Sequence, residues 1–167
     1  VELFLNEKSL GKKVMPRNGH LEWDVVYEPG KLEAIGLKNG KTIRTAVETT
    51  DKAYQIVLTP DRKTINADGN DVSVINVTVL DSKGREIPDA MNLIQFTLAG
   101  EARILGVGNG DPSSHEADNC LDGNWKRSLF NGKCQIILQS PEKEGEFALT
   151  ASSEGMKSAT ATIIIKK

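Results

Sequence analysis

The chain has 167 residues, enough for one large domain or two small ones, with a sizeable core either way. Hydrophobic residues at 38% and charged residues at 26% describe an ordinary folded chain and exclude a disordered one. A net charge of −2, with acids and bases intermingled, excludes a nucleic-acid footprint, and the longest apolar run, Ile163-Ile164-Ile165, excludes a helical membrane insertion.

In chain order, the first stretch is "VELFLN", which reads as a strand. It opens without an initiator Met or a lead-in, and we expect a piece excised from a larger protein. "HLEWDVVYEPG" alternates strictly: Leu21, Trp23, Val25 and Tyr27 share one face, and Glu22, Asp24 and Glu28 share the other. "VSVINVTVLD" groups Ile75, Val77 and Val79, and "EFALTAS" groups Phe147, Leu149 and Ala151. Turn pairs such as Asn39-Gly40, Asp68-Gly69, Lys83-Gly84 and Asn131-Gly132 separate such runs, as hairpins require. Helical periodicity is almost absent. The pattern predicts an all-β chain.

"EPGKLEAIGLKNGK" and "KEGEFALTASSEGMK" share a layout of turn glycine, alternating strand and second turn glycine, and each is followed by one more strand. A late hairpin with its closing strand is how many immunoglobulin-like sandwiches finish. Two such endings predict two tandem immunoglobulin-like β-sandwich domains, residues 1–50 and 54–167, with the boundary near "TTDKAY". The second has room for roughly seven to nine strands. The first has room for only about five, which predicts that it is incomplete at its N-terminus.

The stretch of greatest chemical interest is "GVGNGDPSSHEADNC", residues 106–120. Its glycines superficially match a dinucleotide fingerprint, but Pro112 and the polar residues after it do not build the helix that would receive a pyrophosphate. Ser114, His115 and Glu116 are consecutive and cannot line up as a hydrolytic triad. Zinc fails on ligand count, since His20 and His115 are the only histidines. Calcium is the best remaining metal option, with Asp111, Glu116 and Asp118 supplying oxygens, against a plain reading of solvated acids on a long loop. Gly106, Gly108 and Gly110 are expected at positions of positive φ or close backbone approach, with Asp111 or His115 holding the loop backbone. "ARILGV" leads into the loop as a strand and "WKRSLF" leaves it.

Glycosidase chemistry needs two carboxylates held about 5 Å or about 6.5–9.5 Å apart on a rigid frame. No sequence feature aims two of them at each other, and no catalytic residue is assigned. Among the few aromatics, Trp23 and Tyr27 are in phase with core positions, which leaves Trp125 in "DGNWKR" as the candidate carbohydrate-binding platform. Cys134 is in phase with Ile136 and Leu138 and is expected as a free core thiol. A Cys120–Cys134 disulfide is the alternative.

"VELFLNEKSLGKK" followed by "HLEWDVVYEPGKLEAIGLKNGK" resembles the C-terminal immunoglobulin-like region of bacterial glycoside hydrolase family 2 enzymes of the β-galactosidase type. "LTPDRKTINADGNDVSVINVTVLDSKGREIPDA" with "GVGNGDPSSHE" resembles their further C-terminal domain, which is related to the repeats of invasin-type adhesins. Glu7 departs from the glycine that the family commonly has at that hairpin turn. The resemblance implies a non-catalytic region whose partner is a catalytic barrel upstream on the same polypeptide, with glycan and a homo-oligomer of the parent enzyme as further contacts. It implies no cofactor. It further implies a parent enzyme exported to the periplasm or cell surface of a Gram-negative bacterium. A carbohydrate-binding module and an adhesin-type spacer are the alternative readings, although a fibre needs several repeats and "LTPDRKTINADGNDV" occurs once.

Overall fold

The computed structural model describes residues 1–167. Its regular elements are all strands, and the chain divides into two compact units, Val1–Thr49 and Thr50–Lys167.

The first unit is one antiparallel sheet of β1 (Glu2–Leu5), β2 (Lys8–Lys12), β3 (Lys31–Lys38) and β4 (Lys41–Glu48), in the order β2-β1-β3-β4. Asn6 and Glu7 make the β1–β2 turn with φ of 50° and 68°. Two successive positive φ values are the signature of a type I′ hairpin, which suits Asn followed by Gly. Asn6 also reaches across the sheet. Its Oδ1 accepts the Lys31 amide at 2.8 Å, and its Nδ2 donates to the Pro29 carbonyl at 3.0 Å. This clamp requires Gly30, because a Cβ there would lie 1.7 Å from Asn6 Oδ1.

Residues 20–30, predicted as a strand, join no ladder. Leu21, Trp23 and Val25 are half-buried while Glu22 and Asp24 are exposed, so the alternating face is real. It ends before Tyr27, which is 74% exposed. Alternation requires only extended backbone with one side covered, whereas a strand also needs a neighbouring edge in register. Here the covered side is held by side chains: Lys13 Nζ donates to the Glu22 carbonyl and lies 5.0 Å from the centre of the Trp23 ring. The first unit thus has four strands in one sheet rather than five strands.

The second unit is a sandwich. One sheet has β5 (Gln55–Pro60), β7 (Val72–Leu80), β11 (Lys133–Gln139) and β9 (Arg103–Gly108), in the order β5-β7-β11-β9. The other has β10 (Lys126–Ser128), β8 (Leu93–Ala99), β12 (Gly145–Ser152), β13 (Ala159–Lys166) and β6 (Thr64–Asn66), in the order β10-β8-β12-β13-β6. After Pro60 the chain switches sheets, and β6 pairs parallel to β13. The inward positions read from alternation meet between the sheets: Ile75, Val77 and Val79 face Phe147, Leu149 and Ala151, with Cys134, Ile136 and Leu138 beside them, all buried. Burying side chains of this size contributes about 1.5–3 kcal/mol each.

One acid is buried with this core. Asp81 accepts the amides of Asp51, Lys83 and Arg85 at 3.0, 2.9 and 3.0 Å and the Arg85 Nε at 2.7 Å. Burial pushes its carboxyl upward, but those donors outweigh burial and hold it well below the usual carboxylate range.

A Glu held at positive φ costs about 1 kcal/mol. Glu7→Gly is therefore expected to slow hydrogen exchange of the β1–β2 amides by about the fivefold that this energy implies. Unchanged or faster exchange would show that the turn is unstrained.

Candidate functional site

The chain between β9 and β10 forms the long polar loop, and it is organised from β10. Along "WKRSLF" the positions of Trp125, Arg127 and Leu129 point inward, and Lys126 and Ser128 point outward. A guanidinium on the inward side of an edge strand must find partners. The Arg127 side chain is 5% exposed. Its Nη1 donates to Asp118 Oδ1 at 2.7 Å and to the Glu116 carbonyl at 3.0 Å, and its Nη2 donates to Asn109 Oδ1 at 2.9 Å. Glu116 Oε2 lies 3.7 Å from Arg127 Nε, which makes no hydrogen bond.

The partners are themselves held. Glu116 accepts the Ser128 amide at 2.8 Å and the Ser128 hydroxyl. The Asp118 carbonyl accepts the Val107 amide at 2.9 Å, and Asn109 Nδ2 donates to the Ser128 carbonyl at 3.0 Å. Since Asn109 follows β9 of one sheet and Arg127 lies on β10 of the other, the network ties the two sheets together along one edge.

Each residue proposed from the sequence can now be placed. Asp111 holds the loop backbone, with its Oδ1 accepting the Ser113 amide at 2.9 Å and hydroxyl at 2.8 Å. His115 is exposed and makes none of these contacts. Glu116 and Asp118 converge on Arg127, a cation supplied by the protein, and no group of three His, Cys, Asp or Glu side chains is placed to hold a metal ion. The acids read as calcium ligands are therefore engaged in ion pairs and turns. Gly110 has φ of +75°, and a Cβ on Gly106 would lie 3.1 Å from the Asp118 carbonyl, as anticipated for those two. Gly108 has neither a positive φ nor a close neighbour, a correction to the expectation for it.

Electrostatics follow the contacts. Hydrogen bonds from Ser113 hold the Asp111 carboxyl below its ordinary value. Burial pushes Glu116 up, but the Ser128 hydroxyl and amide and the Arg127 charge outweigh it and leave it lowered. Cys134, a buried free thiol, is pushed up to about 12 by burial, although Arg127 pulls the other way. Cys120 is a half-buried free thiol.

Two concavities flank β10. A cavity of about 540 Å³ is lined by the glycine stretch, Asp111, Asp118, Arg127 and Gln135. A larger cleft of about 950 Å³ at the edge between the sheets is lined by Gln95–Leu98 of β8, Ala102–Ile104, the 119–124 segment, Trp125 and Lys126. Trp125 is half-buried with one side against the core, and its carbonyl accepts the Phe96 amide at 2.8 Å. Trp125 lines this cleft, and sequence reasoning did not single out Arg127. The available signal was a charged residue in phase with Trp125 and Leu129.

Residues 56–162 match the family model for the glycoside hydrolase family 2 C-terminal domain 5. The chain belongs to this family. Residues 1–44 match a second model described as a domain of unknown function, DUF4982. The β-galactosidase BoGH2A of Bacteroides ovatus is 42% identical over 98% of this chain and 19% of its own length. A β-glucuronidase of Formosa agariphila is 31% identical over 98% of the chain and 16% of its own. A solved glycosyl hydrolase family 2 member from Bacteroides cellulosilyticus superposes with a TM-score of 0.87 at 35% identity, over 99% of this chain and 21% of that one. The chain spans about a fifth of the length of these family 2 relatives.

The shifted groups give this family 2 unit a defined pH range. Carboxyls lowered by folding (Asp81, Asp111 and Glu116) contribute stability that is present above their ordinary values and lost as pH falls through the lowered ones. Cys134 acts at the other end, since only the unfolded thiol ionises between its ordinary 9.0 and about 12, so stability falls with rising pH there. A melting temperature that is flat between about pH 5 and 8, and falls below about 4 and above about 9, is expected from calorimetry. A melting temperature that rises on acidification below about pH 4 would contradict these assignments.

Proposed function

We propose that the chain is a non-catalytic accessory region of a β-galactosidase-like family 2 glycosidase, supporting the architecture of the parent enzyme. One observation carries the reading. Glycosidases of the two-carboxylate kind require a general acid whose pKa is raised so that it is protonated at the working pH. Every carboxyl displaced from its ordinary value in this chain is displaced downward: Asp68, Asp71, Asp81, Asp111, Glu116 and Asp122. Each of these is an acceptor for neighbouring backbone or side-chain donors, which favours the charged form and opposes proton donation. The larger cleft is lined by no carboxylate at all.

A supporting role is favoured by the surface of the first unit. Ile43 and Val47, 55% and 68% exposed, share one face of its sheet, and Leu37, 76% exposed, stands on the other. Exposed apolar groups on a sheet suit packing against further protein, and the proposed partner is the rest of the parent polypeptide. The β-galactosidase reading rests on the higher identity to the B. ovatus enzyme, 42%, than to the F. agariphila β-glucuronidase, 31%.

The expected result is that the purified chain turns over neither nitrophenyl β-galactoside nor nitrophenyl β-glucuronide above the uncatalysed rate. Turnover of either that survives repurification and saturates with substrate would overturn the accessory reading.

A further inference from the structure

Strand pairing divides the side chains of the first sheet between two faces. Residues opposite one another in an antiparallel ladder share a face, so Leu3, Leu5, Leu32, Ala34, Ile43 and Val47 lie together on one side. The other side carries Glu2, Lys31, Glu33, Arg44 and Glu48. A sheet with one apolar and one charged face is stable when the apolar face is covered. Yet no residue of Val1–Thr49 is buried, and Ile43 and Val47 on the apolar face stand 55% and 68% exposed.

Residues 20–30 run beside this sheet without joining it. They are held at opposite ends of the sheet. Lys13, which pairs with Val1 ahead of β1, holds Glu22 and Trp23, and the Tyr27 hydroxyl lies 3.3 Å from Oγ1 of Thr49, which follows β4. Leu21, Trp23 and Val25 are half-buried, but no amide of residues 20–28 donates a hydrogen bond to another group of the chain. Trp23 Nε1 is withdrawn from solvent and has no acceptor either. Polar groups that fold away from water are nearly always paired. An extended segment with one side covered, alternating phase and unpaired amides is a strand without its neighbour.

The relatives have the length to supply that neighbour. This chain spans 19% of the B. ovatus enzyme, and the matched model is that of a C-terminal domain, which puts most of the remaining length ahead of it. We propose that a β-strand from the polypeptide ahead of Val1 in the parent enzyme pairs along residues 20–28 and closes a second sheet over the apolar face. Its carbonyls receive the amides of residues 20–28, and its inward side chains are apolar and meet Ile43 and Val47. A strand on the same polypeptide is held at a high local concentration, which a separate partner is not. The identity of this partner rests on the accessory reading above. Turnover by the chain would remove that reading, whereas failure to protect residues 20–28 removes only the strand pairing.

The test is hydrogen exchange on the 167-residue chain and on the full-length parent polypeptide. The amides of residues 20–28 are expected to exchange without protection in the chain alone, and at least about tenfold more slowly in the parent. Val47→Asp should return them to fast exchange in the parent and leave the pattern of the isolated chain unchanged. Leu37→Asp, on the charged face, should leave the parent protected. The comparison of the two wild-type proteins needs no variant to fold. Equal exchange in those two would overturn the proposal. So would protection in the isolated chain that grows with its concentration, which would assign the partner as a second copy, or protection in the parent that survives Val47→Asp.

Discussion

A guanidinium withdrawn from water must be surrounded by acceptors, and Arg127 imposes that requirement on the second unit. The side chain enters from an edge strand three residues long and collects Asn109, Glu116 and Asp118 from the preceding loop. Those contacts determine where the loop can run. Asp118 is brought onto Val107, Glu116 onto Ser128, and Asn109 onto the carbonyl of Ser128. The flanking walls follow: Arg127 lines the smaller cavity itself, and its neighbours Trp125 and Lys126 line the larger cleft.

The same use of acids recurs away from that edge. Asp68 accepts the amides of Asn70 and Asp71, Asp71 accepts the amide of Asn66 and pairs with Arg62, and Asp81 gathers its ring of donors within the core. In a chain with no helices, turns carry many backbone groups that no ladder satisfies, and short acidic side chains satisfy them. Short acidic side chains at the turns thus tie the strands of the β-framework together.

What could be read in advance follows from how far each signal reaches. The inward faces of β7, β11 and β12 were legible because alternation is local, and Val77, Cys134 and Leu149 lie where their phase puts them. The segment around Trp23 shows the limit: its phase was legible, but pairing depends on whether an edge is available, which phase does not report. The glycines divide the same way, since Gly110 answers a local turn while Gly106 answers a carbonyl twelve residues on. Arg127 was illegible because its acceptors are 9 to 18 residues away and come from a loop without periodicity. Its position in phase with Trp125 and Leu129 was the one local sign that the acids upstream had a partner other than a metal.

Substitution of Arg127 addresses the central claim most directly, because the loop, the joined sheet edges and the cleft walls all descend from that side chain. Arg127→Gln keeps much of the stem and removes the charge that Glu116 and Asp118 face. Breaking a buried pair costs about 3–5 kcal/mol, reduced here because Asp118 is 78% exposed and screened by water. Urea unfolding of the second unit is predicted to show a loss of about 2–3 kcal/mol, with the Val107 and Ser128 amides losing hydrogen-exchange protection together. A variant that unfolds at the wild-type urea concentration, with both amides still protected, would contradict the account.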